Sequence, residues 1–442
     1  MKFEEFRPLN AHNYYLQNPH LLKSNMKIYY LLTTWFVKIL TAFLRITGKG
    51  RGTALPGLII EKYFSSLIPY FFSNLPYVIL ITGTNGKTTT RTMLVSMLSG
   101  KSKVVHNKSG SNLIRGILSE LILQTNFWGQ INADYAVLEV EEATMPKLTK
   151  YIKPEQIIIT NLYRDQLDAY GEIDRTENFI KESILNYKET TVILNNDDPK
   201  VRKLNNFALK TLTYSLNDKL KNDFLYEGEE IQNGVKSDYM GVEVVINYDL
   251  TTSYKINNKL VHISIPGYYH VYNSLAAIAS ATYAGVNIDE CIDTLSNIKP
   301  AFGRGELLEL SDKKVMLLLV KNPAGFNLNL KLLKNIDKPN IVMLLNDNIA
   351  DGKDVSWIWD SSLEILNEIN PSQILLGGTR LHDMHLRIKY AYENNSKITT
   401  FNNLESLVKQ INSSNKEFYY IFSTYTAMLQ FRKLITGNAL NV

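Results

Sequence analysis

Apolar and polar positions follow two rhythms along this chain, one helical and one of short strands. Residues 27–45, KIYYLLTTWFVKILTAFLR, set Ile28, Leu31, Leu32, Trp35, Phe36, Ile39, Leu40, Phe43 and Leu44 at helical spacing. Thr33, Thr34, Lys38, Thr41 and Arg45 fall on the other side. The spacing predicts an amphipathic helix packed on its own domain. A helix lying in a membrane surface is the second reading. Lys38 in mid-segment and the two-faced pattern argue against a span. Residues 1–25 are polar, contain Pro8 and Pro19, and lack the apolar core of a secretory signal.

Beyond a glycine-rich loop at residues 48–57 the pattern becomes strand, loop, helix. Residues 77–81, 135–140, 156–160 and 191–194 are continuous apolar runs, separated by helical stretches such as 88–98 and 177–186. Such runs predict a mainly parallel sheet with helices on both faces. Residues 214–262 are more polar, with alternation at 242–246, and read as a small β-rich insertion or hairpin region. Residues 266–284 return to an apolar helix. A second α/β rhythm has strands at 315–320, 341–345, 373–376, 398–401 and 418–422. The expected organisation is an extension with the amphipathic helix (1–60), a central domain (61–302) and a Rossmann-like C-terminal domain (303–442), hinged at residues 298–305, IKPAFGRG.

Composition narrows the class. A chain of 442 residues is too long for one ordinary core, and 45% hydrophobic with 21% charged residues excludes a disordered chain. Forty-eight basic against 43 acidic residues gives +5, too weak to argue for a nucleic-acid partner. The single cysteine, Cys291, excludes an internal disulfide framework and a multi-cysteine zinc site, and fits a reducing cytosol.

The strongest chemical signal is ITGTNGKTTT at residues 81–90. A buried strand runs into a turn with Gly83 and Gly86 and then into a helix, so backbone N–H groups converge where the helix dipole is positive. Lys87 is placed for β- and γ-phosphates and the Thr88 hydroxyl for Mg²⁺. Ile81 stands where the common phosphate-loop expression has its first glycine. Glu139, at the end of the run YAVLEVEE, is the metal-binding acid expected on a neighbouring strand. A surface acidic cluster at a helix start is the plain alternative.

GTNGKTTT resembles the ATP loop of the Mur ligases and folylpolyglutamate synthetases. LEVEEA resembles their metal-binding strand, NNDDP (195–199) their nucleotide-side loop, and GYYHVYN (267–273) their adenine-contacting motif. Only Asn273 carries over from the last, because His270 stands where an Asn is usual. FGRGE (302–306) resembles the family's hinge, with Arg304 expected near the phosphates. Gly83, Thr84, Asn85, Gly86, Lys87, Thr88, Thr89, Asn273 and Arg304 are thus the expected nucleotide contacts. Thr88 and Glu139 are the expected Mg²⁺ ligands.

TALPG (53–57), KSGSNLIRG (108–116), TNLYRDQLDAYGE (160–172), KNPAGFN (321–327), NDNIADGKDVSWIWD (346–360) and GGTRLHDMHLRIKYA (377–391) resemble one branch, the MurT-type ligase subunits of lipid II isoglutaminyl synthase. The resemblance implies an α/β fold with a Mur-ligase-like central parallel-sheet ATPase domain and a C-terminal Rossmann-like domain. It implies ATP and Mg²⁺ as cofactors. The α-carboxylate of D-glutamate in the lipid II stem peptide would become an acyl phosphate, which ammonia converts to D-isoglutamine. A GatD-like glutaminase subunit would supply the ammonia, and an aspartate of this chain would serve its Cys–His pair. Asp354 is the first candidate and Asp351 the second, each with a turn or helix cap as its plain alternative. Cytoplasmic location, peripheral at the inner membrane face, follows from the same resemblance.

Departures narrow it further. No cysteine lies in residues 200–260, so the zinc ribbon of many relatives is not expected. Gln166 stands where amino-acid-adding Mur ligases place a metal-binding His. His382 and His385 lack acidic or cysteine partners at metal spacing. Trp357 and Trp359 share one face if that segment is extended. A stand-alone amino-acid-adding ligase and a nucleotide-binding scaffold without ligase chemistry remain the alternatives.

Overall fold

The computed structural model describes residues 24–46, 54–73, 75–108, 111–162, 172–216, 236–246, 251–267, 269–298 and 304–437. A nine-stranded sheet is built from β1 (Tyr77–Thr82), β2 (Val104–His106), β3 (Tyr135–Glu139), β4 (Gln156–Ile159), β5 (Thr191–Asn195), β6 (Lys210–Leu216), β7 (Tyr239–Ile246), β8 (Thr252–Ile256) and β9 (Lys259–Ile263). Their order is β2-β3-β1-β4-β5-β6-β7-β8-β9. All neighbours are parallel as far as β7, and β7 to β9 form an antiparallel end.

The apolar runs become strands because both faces are covered. Val78, Leu80, Ala136, Leu138, Ile157 and Ile159 pack on one side. Ile79, Ile81, Val137 and Ile158 pack on the other. On the second side lie helices Lys87–Leu98 and Tyr269–Tyr283, the latter lined by Ala276, Ala277, Ala279 and Ala281. Small residues let a helix approach a neighbour closely. The strand order reverses direction at β1, so the carboxyl ends of β1, β3 and β4 meet at the crevice where ligands bind in open α/β sheets.

The polar segment after residue 214 forms antiparallel hairpins, β7-β8-β9, at the end of the central sheet. Strands β6 to β9 extend the central sheet, and Tyr214, Tyr254, Ile256 and Val261 join its core. Residues 217–235 lie outside the described residues.

A second sheet contains β10 (Arg304–Leu310), β11 (Lys313–Leu319), β12 (Asn340–Leu344), β13 (Gln373–Gly377), β14 (Ile398–Thr400) and β15 (Phe418–Ser423) in the order β10-β11-β15-β12-β13-β14. Only β10 runs antiparallel. The two halves touch, since Leu328 packs against the central core and Ile246 against the C-terminal one. Most of the expected hinge, residues 299–303, lies outside the described residues.

Helix α1 (Ser24–Ile46) packs on the central domain, but with the face that the periodicity assigned to the outside. Tyr30, Thr33, Thr34, Val37 and Thr41 are buried, while Ile28, Leu32, Phe36, Ile39 and Phe43 are exposed. Threonine can be buried here because Thr34 Oγ1 donates to Tyr30 O (2.8 Å) and Thr41 Oγ1 to Val37 O (2.7 Å), one turn back.

Candidate active site

The loop between β1 and the helix Lys87–Leu98 is held open by its glycines. Gly83 (φ +123°) and Gly86 (φ +87°) adopt conformations that side chains disfavour. A Cβ on Gly83 would sit 2.3 Å from Thr160 Oγ1, and one on Gly86 2.3 Å from Asn273 Oδ1. The end of β4 clasps the loop. Asn85 N donates to Asn161 Oδ1 (2.8 Å), Asn161 Nδ2 donates to Asn85 O (3.0 Å), and Thr160 Oγ1 donates to the same carbonyl (2.7 Å). Asn161 lay within a family-like segment of the sequence. Its role as the clasp depends on β4 lying beside β1, which local pattern does not encode.

Lys87 folds back into the loop. Its Nζ donates to Gly83 O (2.5 Å) and pairs with Glu142 Oε1 at 2.9 Å, with Glu141 Oε2 3.9 Å away. Gly83 N donates to the same Glu142 oxygen (3.1 Å). The Glu142 carboxylate therefore stands in for an anion at the mouth of the loop. Burial alone would pull the Lys87 pKa down, but Glu142 and Glu141 together outweigh it and hold it above the ordinary 10.5. Burial favours the neutral form of Glu142, and Lys87 outweighs that and holds its carboxyl below the ordinary range.

Glu139, at the end of β3, is 3% exposed. Its Oε1 accepts from Thr88 Oγ1 (3.0 Å), and its Oε2 has no hydrogen-bond partner among the described residues. Asn107 fixes its backbone from both sides, donating to Glu139 O (2.8 Å) and accepting from Glu139 N (2.8 Å). A buried carboxylate oxygen without a proton donor, beside a hydroxyl at a phosphate loop, is the hard-oxygen set that Mg²⁺ takes. The described residues hold no cluster of three His, Cys, Asp or Glu suited to a metal. Phosphate and water would complete the shell, as is usual for Mg²⁺. Gln166 lies outside the described residues.

Thr84, Asn85, Gly86, Lys87, Thr88, Thr89, Glu139 and Asn273 all line one cavity of about 500 Å³ between the two halves. Asn273 Nδ2 lies 3.2 Å from His270 Nδ1, so the residue that departs from the family pattern props the one that matches it. Tyr272, also lining the cavity, donates to Asp197 Oδ2 (3.0 Å). Arg304 opens β10, and its side chain lies outside the described residues.

The C-terminal half supplies the opposite wall with Leu319, Lys321, Asn322, Gly325, Leu328, Asn329, Ala350 and Tyr425. Asn322 caps the helix Pro323–Leu332 by accepting from Gly325 N (2.8 Å), and its Nδ2 reaches Asn85 Oδ1 across the cleft (3.4 Å). Asn329 is buried, and its Oδ1 has no partner among the described residues. Neither asparagine was singled out from sequence. The Asn-Pro pair before an apolar run signals the cap, but not what the helix points at.

The two aspartate candidates differ. Asp351 accepts from Thr426 N (2.7 Å), Thr426 Oγ1 and Asn348 N (3.2 Å), so it ties its loop to the start of the last helix, Tyr425–Thr436. Asp354 is exposed and accepts from Ser356 N (2.8 Å); the Ser356 hydroxyl and then this N–H hold its carboxyl below the usual range. The tryptophans do not share a face. They sit on a 3₁₀ turn, Ser356–Asp360, where Trp357 is 6% and Trp359 49% exposed. His382 and His385 lie on the helix Leu381–Ala391 without a metal cluster among the described residues. Cys291 is buried, which pushes its thiol up to about 12 and makes it inert.

Comparison with known proteins agrees with this geometry. The Mur ligase middle domain family matches residues 81–281, and the MurT ligase C-terminal family matches residues 319–428. The chain is 32% identical over 419 residues, 88% of its length and 93% of the relative's, to the MurT subunit of lipid II isoglutaminyl synthase (glutamine-hydrolyzing) of Streptococcus pneumoniae. The chain belongs to the MurT family of Mur ligases. Among solved structures, MurF of Acinetobacter baumannii superposes with a TM-score of 0.67 at 18% identity, covering 87% of this chain and 80% of MurF. MurF of Thermotoga maritima in complex with ADP superposes at 0.64 and 17% identity, covering 84% and 81%. At those identities the likeness shows the Mur-ligase fold. Within the MurT family, this chain's middle segment carries no cysteine at 200–260.

Proposed function

We propose that this MurT-family chain is the ligase subunit of a lipid II isoglutaminyl synthase. It would use ATP to activate the α-carboxylate of D-glutamate in the stem peptide, and ammonia from a GatD-like glutaminase to form D-isoglutamine. The observation that carries the reading is the paired cleft wall. A phosphate loop with Lys87, Thr88 and an unpartnered Glu139 oxygen faces a second α/β domain across one cavity.

The chemistry follows from charge. A carboxylate resists a nucleophile, so its oxygen attacks the γ-phosphorus, ADP departs, and the acyl phosphate carries a good leaving group. Lys87 and the N–H groups of Gly83, Gly86, Lys87 and Thr88 would hold the transferring phosphoryl, which requires Lys87 and Gly83 N to exchange Glu142 for phosphate; the N–H groups of Thr84 and Asn85 stay on Asn161. Thr88 and Glu139 would hold Mg²⁺, which when bound neutralises phosphate charge. Ammonia then attacks the acyl carbon, phosphate leaves, and the nitrogen loses a proton. The walls of the cleft would limit the access of water to the acyl phosphate.

Asp354, exposed and ionised, is the better candidate to reach a partner's Cys–His pair, because Asp351 is committed to Thr426. The chain would work at the inner face of the membrane, where its lipid-linked substrate is. The test is turnover of purified chain with ATP, Mg²⁺ and lipid II, comparing ammonium with candidate amino acids. Amide formation from ammonium, stimulated by glutamine once the glutaminase is added, is expected. Addition of an amino acid instead overturns the reading.

A further inference from the structure

We infer that the outward face of helix α1, with the loop at Phe127 and Trp128, is a docking surface for an anionic lipid bilayer. The helix is long and apolar enough to cross a membrane by length and composition. It is nevertheless tied lengthwise to the domain. Tyr30 OH donates to Gly129 O (2.7 Å), Trp35 Nε1 to Phe127 O (2.8 Å), and Lys38 Nζ to Thr125 O. Together with the buried Val37 and Thr41, these contacts hold it flat on the protein. Its other face is the anomaly. Ile28, Leu32, Phe36, Ile39, Phe43 and Ile46 are 53% to 85% exposed and follow one another along the helix. Trp35 stacks near Phe127 (ring centroids 4.5 Å) and Phe127 near Trp128 (5.4 Å), so the row continues into exposed aromatic side chains. A contiguous apolar row of this length, with its polar residues turned inward, marks an interaction surface.

Charge selects the occupant. Between Glu5 and Glu61 the sequence has no acidic residue and seven basic ones: Arg7, Lys23, Lys27, Lys38, Arg45, Lys49 and Arg51. This stretch alone therefore exceeds the chain's net +5. On the helix itself Lys27 is exposed while Lys38 is turned inward to Thr125 O. An apolar row in so basic a stretch of sequence, with tryptophan at its rim, matches the headgroup boundary of an anionic leaflet. Position agrees. Helix Ile114–Gln124 starts beside Asn112, which lines the cavity, and ends at the Phe127–Trp128 loop. Its eleven residues put the two ends about 16 Å apart at 1.5 Å per residue. The inference deepens the proposed function, since a lipid-anchored stem peptide would be presented near the cleft.

The test is flotation of the full chain with vesicles of phosphatidylglycerol or of phosphatidylcholine. Wild type and an Ile39→Asp/Phe43→Asp variant are compared, with turnover of a water-soluble stem-peptide substrate as control. Wild type is expected to bind phosphatidylglycerol vesicles, to release them as salt rises, and to lose about tenfold or more in partitioning in the variant. Soluble-substrate turnover is unchanged. Equal flotation of both proteins, or none, overturns the inference. So does vesicle binding that emerges only on deleting residues 1–23, which would make that segment the occupant. A dimer abolished by the variant without vesicle binding overturns it too, in favour of a second copy. Vesicle binding without amidation leaves this inference standing and sinks the proposed function, so the two fail separately.

Discussion

Replacing Lys87 with Met separates what the loop does for stability from what it does for chemistry. Lys87 and Glu142 have side chains only 11% exposed and pair at 2.9 Å. Removing one partner of a buried pair commonly costs about 3–5 kcal/mol, because the other charge stays buried alone. Here the cost has a ceiling. Glu142 can take up a proton instead, and from an ordinary pKa of 4.5 that costs about 3.4 kcal/mol at pH 7. Gly83 N still donates to it, so we expect about 1–3 kcal/mol. Glu142 in the folded wild type lies below its ordinary value, so the pair's contribution is complete above pH 4.5 and fades as pH falls through the folded value. Lys87 lies above its ordinary 10.5, so the contribution is also lost as pH rises through its folded value. The stability gap between wild type and Lys87→Met is therefore widest near neutrality and narrows in acid. Urea melts of the nucleotide-free protein at pH 7 and pH 3 measure it. Adding Glu142→Gln should recover most of the stability and none of the ATP turnover. Wild-type amidation by Lys87→Met, or a gap that grows in acid, would refute the reasoning.

Glu139→Gln keeps the hydrogen bond to Thr88 and removes the charge, so Mg²⁺ titration of ATP turnover should show a requirement raised about 10- to 100-fold; an unchanged curve removes Glu139 from the metal site. Gly83→Ala forces a Cβ to 2.3 Å from Thr160 Oγ1 at φ +123°, and the displaced loop should lose about 1–3 kcal/mol of nucleotide affinity by calorimetry. Asp354→Asn should abolish glutamine-supported amidation and spare ammonium-supported amidation. Asp351→Ala, which strips the start of the last helix of its acceptor, should lower stability by about 1–2 kcal/mol and depress both reactions.

The central strands were legible because continuous Ile, Val and Leu runs are what a sheet covered on both faces demands. Other elements were not, for identifiable reasons. Val104–His106 is too short to stand out, and Arg304–Leu310, RGELLEL, mixes charged with apolar residues as an antiparallel edge strand can. Alternation at 242–246 reveals a half-exposed strand but not which sheet it joins, so a hairpin region was legible and its place at the end of the central sheet was not. Helix α1 shows the same limit more sharply. Its period gives two faces, and hydropathy chose the apolar one for the inside. Thr34 and Thr41 reverse that choice by hydrogen bonding to their own helix, which lets a threonine face pack. The WIW segment fails through local geometry: a 3₁₀ turn, unlike a strand, sends Trp357 and Trp359 to different environments.

The site divides along the same line. Glycines at positive φ, a lysine and a threonine at the start of a helix are local requirements, and they stand in sequence order at residues 83–88. The groups that set the loop's electrostatics are brought in by topology: Glu142 from beyond β3, Asn161 from the end of β4, Asn322 from the other half. Of these, Glu142 bears most directly on mechanism. It holds both the ammonium of Lys87 and the N–H of Gly83, the two donors that an entering phosphate needs. An incoming phosphate must therefore take both donors from a carboxylate already in place. The exchange is of one anion for another, so the buried lysine always has a counter-charge. The loop is thereby kept open without nucleotide, and nucleotide affinity is lowered by whatever Glu142 loses on release. Glu142→Gln should consequently tighten nucleotide binding while loosening the nucleotide-free protein. Calorimetry with ADP beside urea melts reads both, and a Glu142→Gln protein that binds ADP more weakly would show that Glu142 is a ligand of the bound state and not its competitor.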